Sequence, residues 1–86
     1  MQTIKGRKVT DAQAAVYKVL REFGPMPDHA LVPLAQHVAT VHQSSSGIRT
    51  RRKELLDAGI IYADEGHFVS TGSGRSAQVY KAVKRA

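Results

Sequence analysis

Between Ser44 and Ile61 the chain spells out a helix together with both of its ends. Ser44, Ser45 and Ser46 supply hydroxyls that accept from the free N–H groups of a first helical turn. Gly59 supplies a stop, because glycine enters left-handed backbone at little cost. With roughly 100° per residue, Ile48, Leu55 and Gly59 fall in one narrow arc that must face a core. Ser46, Thr50, Lys53 and Asp57 fall opposite, with Arg49 on their shoulder. Arg51 and Arg52 flank the apolar arc, one on each side, and are expected to lay their stems on the core rim and extend their guanidinium groups outward. The expected helix covers about residues 44–58.

After Gly59 the periodicity changes. Ile60-Ile61-Tyr62 is β-branched and aromatic, Asp64-Glu65-Gly66 reads as a turn, and His67 to Thr71 reads as extended. Gly72-Ser73-Gly74-Arg75 forms a glycine-rich tip, and Ala77 to Val83 alternates as a second strand. Phe68 and Tyr80 are expected to pack within this hairpin rather than to stack on bases. Upstream, Thr10 and Gln13 form a capping box for a helix over residues 11–23, whose stripe is Ala12, Val16, Val19, Leu20 and Phe23. Gly24 and Pro25 end it. Met26-Pro27-Asp28 reads as a turn with Asp28 as the next cap, and Leu31, Leu34, Ala35 and Val38 share a helical face. Pro33 leaves two alternatives for that helix: it is kinked, or it starts nearer Val32. Ala39 to Gln43 is a connector expected to pack through Val41. The fold class is therefore α+β, three helices followed by a hairpin. Residues 1–9 form a loose basic arm, 10–83 the domain and 84–86 a basic tail.

Eighty-six residues suffice for one small domain, and an apolar fraction of 42% with 6% aromatics implies a core of Ala, Val, Leu and Ile. The absence of cysteine excludes a disulfide framework and any thiolate metal site. His29, His37, His42 and His67 fit no zinc spacing, so no metal or cofactor is expected, nor a small-molecule substrate, and nothing in the pattern points to an enzyme. With no apolar run near the roughly 20 residues of a membrane span, and no signal-peptide apolar region in Met1 to Lys5, a cytoplasmic protein is expected.

The net charge of +6 suits a polyanionic partner, and the excess is clustered. Lys5, Arg7 and Lys8 lie at the start, Arg49 to Lys53 in the middle, and Arg75, Lys81, Lys84 and Arg85 toward the end. Within the third helix the hydroxyls and cations occupy the N-terminal part, and Glu54 and Asp57 the C-terminal part. The dipole and the open N–H groups favour anions at that same N-terminal end. A helix inserted into the major groove of DNA by its N-terminal half needs this polarity.

The run Ser44 to Leu55, the Leu-x-x-x-Gly-Ile-Ile ending, and the segment Thr71 to Arg75 followed by the aromatic strand Ala77 to Val83 resemble a winged helix-turn-helix domain. They look most like the small stand-alone winged-helix proteins of bacteriophages and bacteria, over about residues 10–83. The resemblance implies that the third helix recognises double-stranded DNA and that the hairpin is the wing. Ser46, Arg49, Thr50 and Lys53 then become candidates for base edges, and Ser44, Ser45, Arg51 and Arg52 for phosphates. Ser73 and Arg75 become wing contacts. The resemblance departs at Pro33 and in the apolar segment Gly66 to Val69. The implied function is a small transcriptional regulator or a phage accessory factor, acting as a homodimer or with a protein partner. The alternatives are a protein-interaction module for a host replication or transcription component, or non-specific nucleic-acid binding.

Overall fold

A computed structural model of the chain describes residues 2–4, 6–70 and 76–82, with side chains for all of these except Gln2, Glu65 and His67. In chain order the elements are β1 (Gln2–Ile4), β2 (Arg7–Val9), α1 (Asp11–Phe23), β3 (Met26–Pro27), α2 (Asp28–Val38), α3 (Ser45–Asp57), β4 (Tyr62–Ser70) and β5 (Ser76–Lys81). The class is α+β: among the described residues there are three helices and two antiparallel sheets, one of order β1-β2 and one of order β3-β5-β4.

The first helix forms where its cap and its stripe agree. The Thr10 hydroxyl accepts from Gln13 N–H at 3.2 Å, and the Gln13 amide oxygen accepts from Thr10 N–H at 2.9 Å. Ala12, Val16, Val19 and Leu20 are buried, whereas Phe23 at the helix end is 62% exposed. Helix α2 begins at Asp28 itself and runs through Pro33, with Pro27 as an N-cap that makes no side-chain bond. Pro33 lies on the exposed side. Its missing N–H and ring cost a helix interior about 3 kcal/mol. Burial of Leu31, Val32 and Ala35 beside it offsets that cost, at about 1.5–3 kcal/mol for each large side chain.

These helices close over one core of Val16, Val19, Leu20, Leu31, Ala35, Ile48, Leu55 and Ile61, with Ala82 of the segment after β5. The described helices include none long and apolar enough to cross a membrane.

Several expectations need correction. Residues 2–4 and 7–9 are not loose: β1 and β2 pair through Gln2↔Val9, Thr3↔Lys8 and Ile4↔Arg7, and Val9 is 2% exposed within the core. Met26-Pro27-Asp28 is not a turn: Met26-Pro27 is a short strand, held by Met26↔Tyr80 and Pro27↔Val79, and Asp28 opens α2. It fastens the α1–α2 junction to the hairpin. Asp64 to Gly66 does not reverse the chain. Strand β4 continues through it with a bulge between Ala63 and Phe68, where Gly66 takes φ 79°. Gln78 Nε2 donates to the Asp64 carbonyl at 2.8 Å, and Lys81 Nζ lies 3.1 Å from Asp64 Oδ1, which stitches the bulge to β5. Val41 is 62% exposed rather than packed, and Phe68 is 52% exposed.

Candidate nucleic-acid interface

Helix α3 is set at both ends by local chemistry. The Ser44 hydroxyl accepts from Gly47 N–H at 3.0 Å, and the Ser44 carbonyl accepts from Ile48 N–H at 3.0 Å. At the other end Gly59 N–H donates to Leu56 O at 3.1 Å and Ile60 N–H to Leu55 O at 2.9 Å, a Schellman closure with Gly59 at φ 74°. Gly59 itself is exposed beyond the helix rather than facing the core. Between these ends Ile48 and Leu55, at 0% and 1% exposure, anchor the helix and fix its rotation.

The approach to α3 is also tied down. The Asp11 carboxylate accepts from Thr40 N–H at 2.9 Å and Val41 N–H at 3.4 Å, and Gln36 Nε2 donates to the Gln43 carbonyl at 3.0 Å. The Thr40 side chain lowers the pKa of Asp11 most; desolvation opposes this, and the backbone bonds to Thr40 and Val41 add to the lowering.

With that rotation fixed, Ser44, Ser45, Ser46, Arg49, Thr50 and Lys53 are all exposed. Neither Arg49 nor Lys53 has an ion-pair partner among the described residues. The backbone N–H groups of Ser45 and Ser46 are likewise open, so the helix start offers donors to an anion. Thr50 donates its hydroxyl proton to the Ser46 carbonyl at 2.9 Å. Its hydroxyl is left as an acceptor only. Ser46 and Ser44 hydroxyls lie 3.3 Å apart.

The flanking arginines behave differently from expectation. Arg52 turns inward: Nε and Nη2 grip Asp28 Oδ1 and Oδ2 at 3.0 and 2.7 Å, and the guanidinium lies 4.4 Å from the Tyr80 ring centroid. Burial works against its charge, but the hydrogen bonds and charge of Asp28, with a contribution from Tyr80, outweigh it and raise its pKa. Arg51 pairs with Glu54: Nε sits 2.7 Å from Oε1, at an angle that makes an ion pair rather than a hydrogen bond, while Nη2 donates to Oε2 at 3.1 Å. Gln13 Nε2 donates to Glu54 Oε1 at 2.8 Å. The physical reason for the correction is that both arginines find carboxylates within reach, and a paired charge is cheaper there than a half-desolvated free one.

The charge of Glu54 is offset by Arg51. Asp11, Asp28, Glu54 and Asp64 are thus all engaged inside the protein. Sequence reasoning missed Asp28, Tyr80 and Gln13 as partners of this helix. No local signal marks them, since Asp28 and Arg52 are 24 positions apart and Gln13 and Glu54 are 41 apart. Ser73 and Arg75, the expected wing contacts, lie outside the described residues. Among the described residues no group of His, Asp and Glu is arranged to hold a metal. Comparison of the chain with protein-family models, with curated proteins and with solved structures returns no match.

Proposed function

We propose that this chain is a winged helix-turn-helix domain that binds double-stranded DNA in a sequence-specific manner. Helix α3 enters the major groove and the β4–β5 hairpin is the wing. One observation carries the proposal: Ser46, Arg49, Thr50 and Lys53 form an exposed row, with both cations unpaired among the described residues, directly beside the open N–H groups of the helix start. The sheet order β3-β5-β4 supports the winged-helix assignment, because it binds the hairpin to the junction just before α2.

In this arrangement Arg49 has the reach to bond a guanine edge at two points, worth about 1–3 kcal/mol of discrimination. Lys53, one turn further on, supplies a point charge to a base edge or phosphate. Ser44, Ser45 and the open N–H groups hold phosphate and fix the register. A single short reading helix gives limited specificity, so a homodimer, a tandem site or a protein partner completes it. The biological role that suits such a module is a small transcriptional regulator or a phage accessory factor, with no chemistry of its own.

The test is selection of bound duplexes from a random pool, followed by fluorescence anisotropy on the winner. A consensus bound with submicromolar Kd, weakened by Arg49→Ala, supports the proposal; equal affinity for unrelated duplexes replaces it with non-specific binding. A second reading, docking of a protein partner, is favoured by Phe68 at 52% exposure on β4. A partner captured from nuclease-treated lysate and lost on Phe68→Ala would select it.

A further inference from the structure

The N-terminal hairpin puts two cations where no single helix face accounts for them. Arg7 and Lys8 are exposed on β2, and neither is ion-paired among the described residues. They line one wall of an open cleft of about 400 Å³ whose other wall includes Arg51 and Glu54 of α3 and its C-cap Ala58. On the helix wheel, Arg51, Glu54 and Ala58 form a side stripe between the buried Ile48–Leu55 edge and the outward row. The hairpin therefore flanks α3 rather than sitting behind it. It is also held there, since Val9 is part of the core and Ile4 packs against it.

A helix lying in a major groove about 12 Å wide has a sugar-phosphate wall on each side. The flank that carries the β1–β2 hairpin faces one of these walls. The acid on that flank, Glu54, is already compensated by Arg51 and bonded by Gln13, so it leaves Arg7 and Lys8 as uncancelled charge. We infer that Arg7 and Lys8 form a second phosphate clamp, in which the ordered β1–β2 hairpin grips the DNA backbone alongside α3. This inference rests on the DNA-binding reading proposed above. It extends the footprint to a surface that the winged-helix resemblance does not assign. The clamp positions the duplex and reads no bases, because it addresses the backbone and not the groove floor.

The experiment compares the wild-type protein, Arg7→Gln/Lys8→Gln and Arg49→Ala on the selected duplex from about 0.05 to 0.5 M salt. Each lost phosphate contact flattens the slope of log K against log salt by about 0.9 and weakens binding about eightfold at 0.1 M relative to 1 M. The Arg7→Gln/Lys8→Gln protein is expected to lose up to about 1.8 in slope and about sixtyfold in affinity near 0.1 M. Its consensus should stay unchanged, and ethylation interference should be lost at phosphates on one strand only. Both side chains are exposed, so its melting temperature should match wild type, and melting serves as the folding control. Wild-type slope and affinity in that protein, with Arg49→Ala still defective, overturn the clamp and leave the function standing. A changed consensus overturns it too, because the hairpin would then be reading bases. No salt-dependent binding by wild type sinks the DNA-binding reading, and the clamp with it.

Discussion

Arg52 offers the sharpest test of how this fold positions α3. Its guanidinium makes two hydrogen bonds to Asp28 and lies over Tyr80, so one side chain joins α3, α2 and β5. Arg52→Met keeps most of the apolar stem and removes only the head. A hydrogen bond to a charged group is worth about 1.5–3 kcal/mol and a cation–π contact about 0.5–2 kcal/mol. The two side chains retain 16% and 23% exposure, so water screens part of that sum. The stranded Asp28 also keeps about 0.3–1 kcal/mol from its place in the first turn of α2. The expected cost is about 2–3 kcal/mol, against about 4–13 kcal/mol for a whole domain of this length. Urea unfolding followed by circular dichroism measures it through the midpoint at constant m. A double-mutant cycle with Asp28→Ala should return a coupling of about 1–2 kcal/mol. Arg49→Met, an exposed and unpaired control, should fall within about 0.5 kcal/mol of wild type. If Arg52→Met is as harmless as Arg49→Met, the inward docking of Arg52 is refuted.

Three further outcomes follow from the ends of the helices. Ser44→Ala removes the hydroxyl that accepts from Gly47 N–H and should destabilise the protein by about 1 kcal/mol in urea. Gly59→Ala forces a Cβ onto backbone at φ 74° and should cost about 1–2 kcal/mol by the same assay, although open space surrounds the site. Asp11 has its folded pKa lowered, chiefly by Thr40, so the ionised carboxylate stabilises the folded state above its ordinary pKa, and that stability is lost as pH falls through the lowered value. The melting-temperature advantage of wild type over Asp11→Asn should therefore be present at neutral pH and shrink toward zero as the pH is taken down through the acidic carboxylate range.

What was legible in the chain was the chemistry that is local. Thr10 with Gln13, and Ser44 with Gly59, mark helix ends because the groups that satisfy each other are three to five residues apart. The Ile48–Leu55 arc set the rotation of α3, so the outward row Ser46, Arg49, Thr50 and Lys53 followed from spacing alone. What was illegible depends on pairs made by the fold. β3 is only Met26 and Pro27, and its evidence as a strand is a ladder with Val79 and Tyr80 more than 50 positions away. Arg52 reads as an outward cation until α2 brings Asp28 beside it. The β1–β2 pairing hides in a segment whose charges suggested a loose arm, although Ile4 and Val9 on either side of Gly6 carried the apolar signal for it. Pro33 leaves a kink or a later start open for α2, and burial of Leu31 and Val32 accompanies a helix that starts at Asp28.

The central claim is that the exposed row of α3 reads duplex DNA, and the most direct measurement is anisotropy of the selected duplex titrated with wild type, Arg49→Ala and Lys53→Ala at about 0.1 M salt. The account predicts submicromolar binding by wild type and a loss of about 1–3 kcal/mol, roughly five- to 150-fold, for Arg49→Ala. Arg49→Ala should also relax preference at one base pair, while all three proteins melt at the same temperature. Unchanged affinity and unchanged base preference in both variants would contradict it.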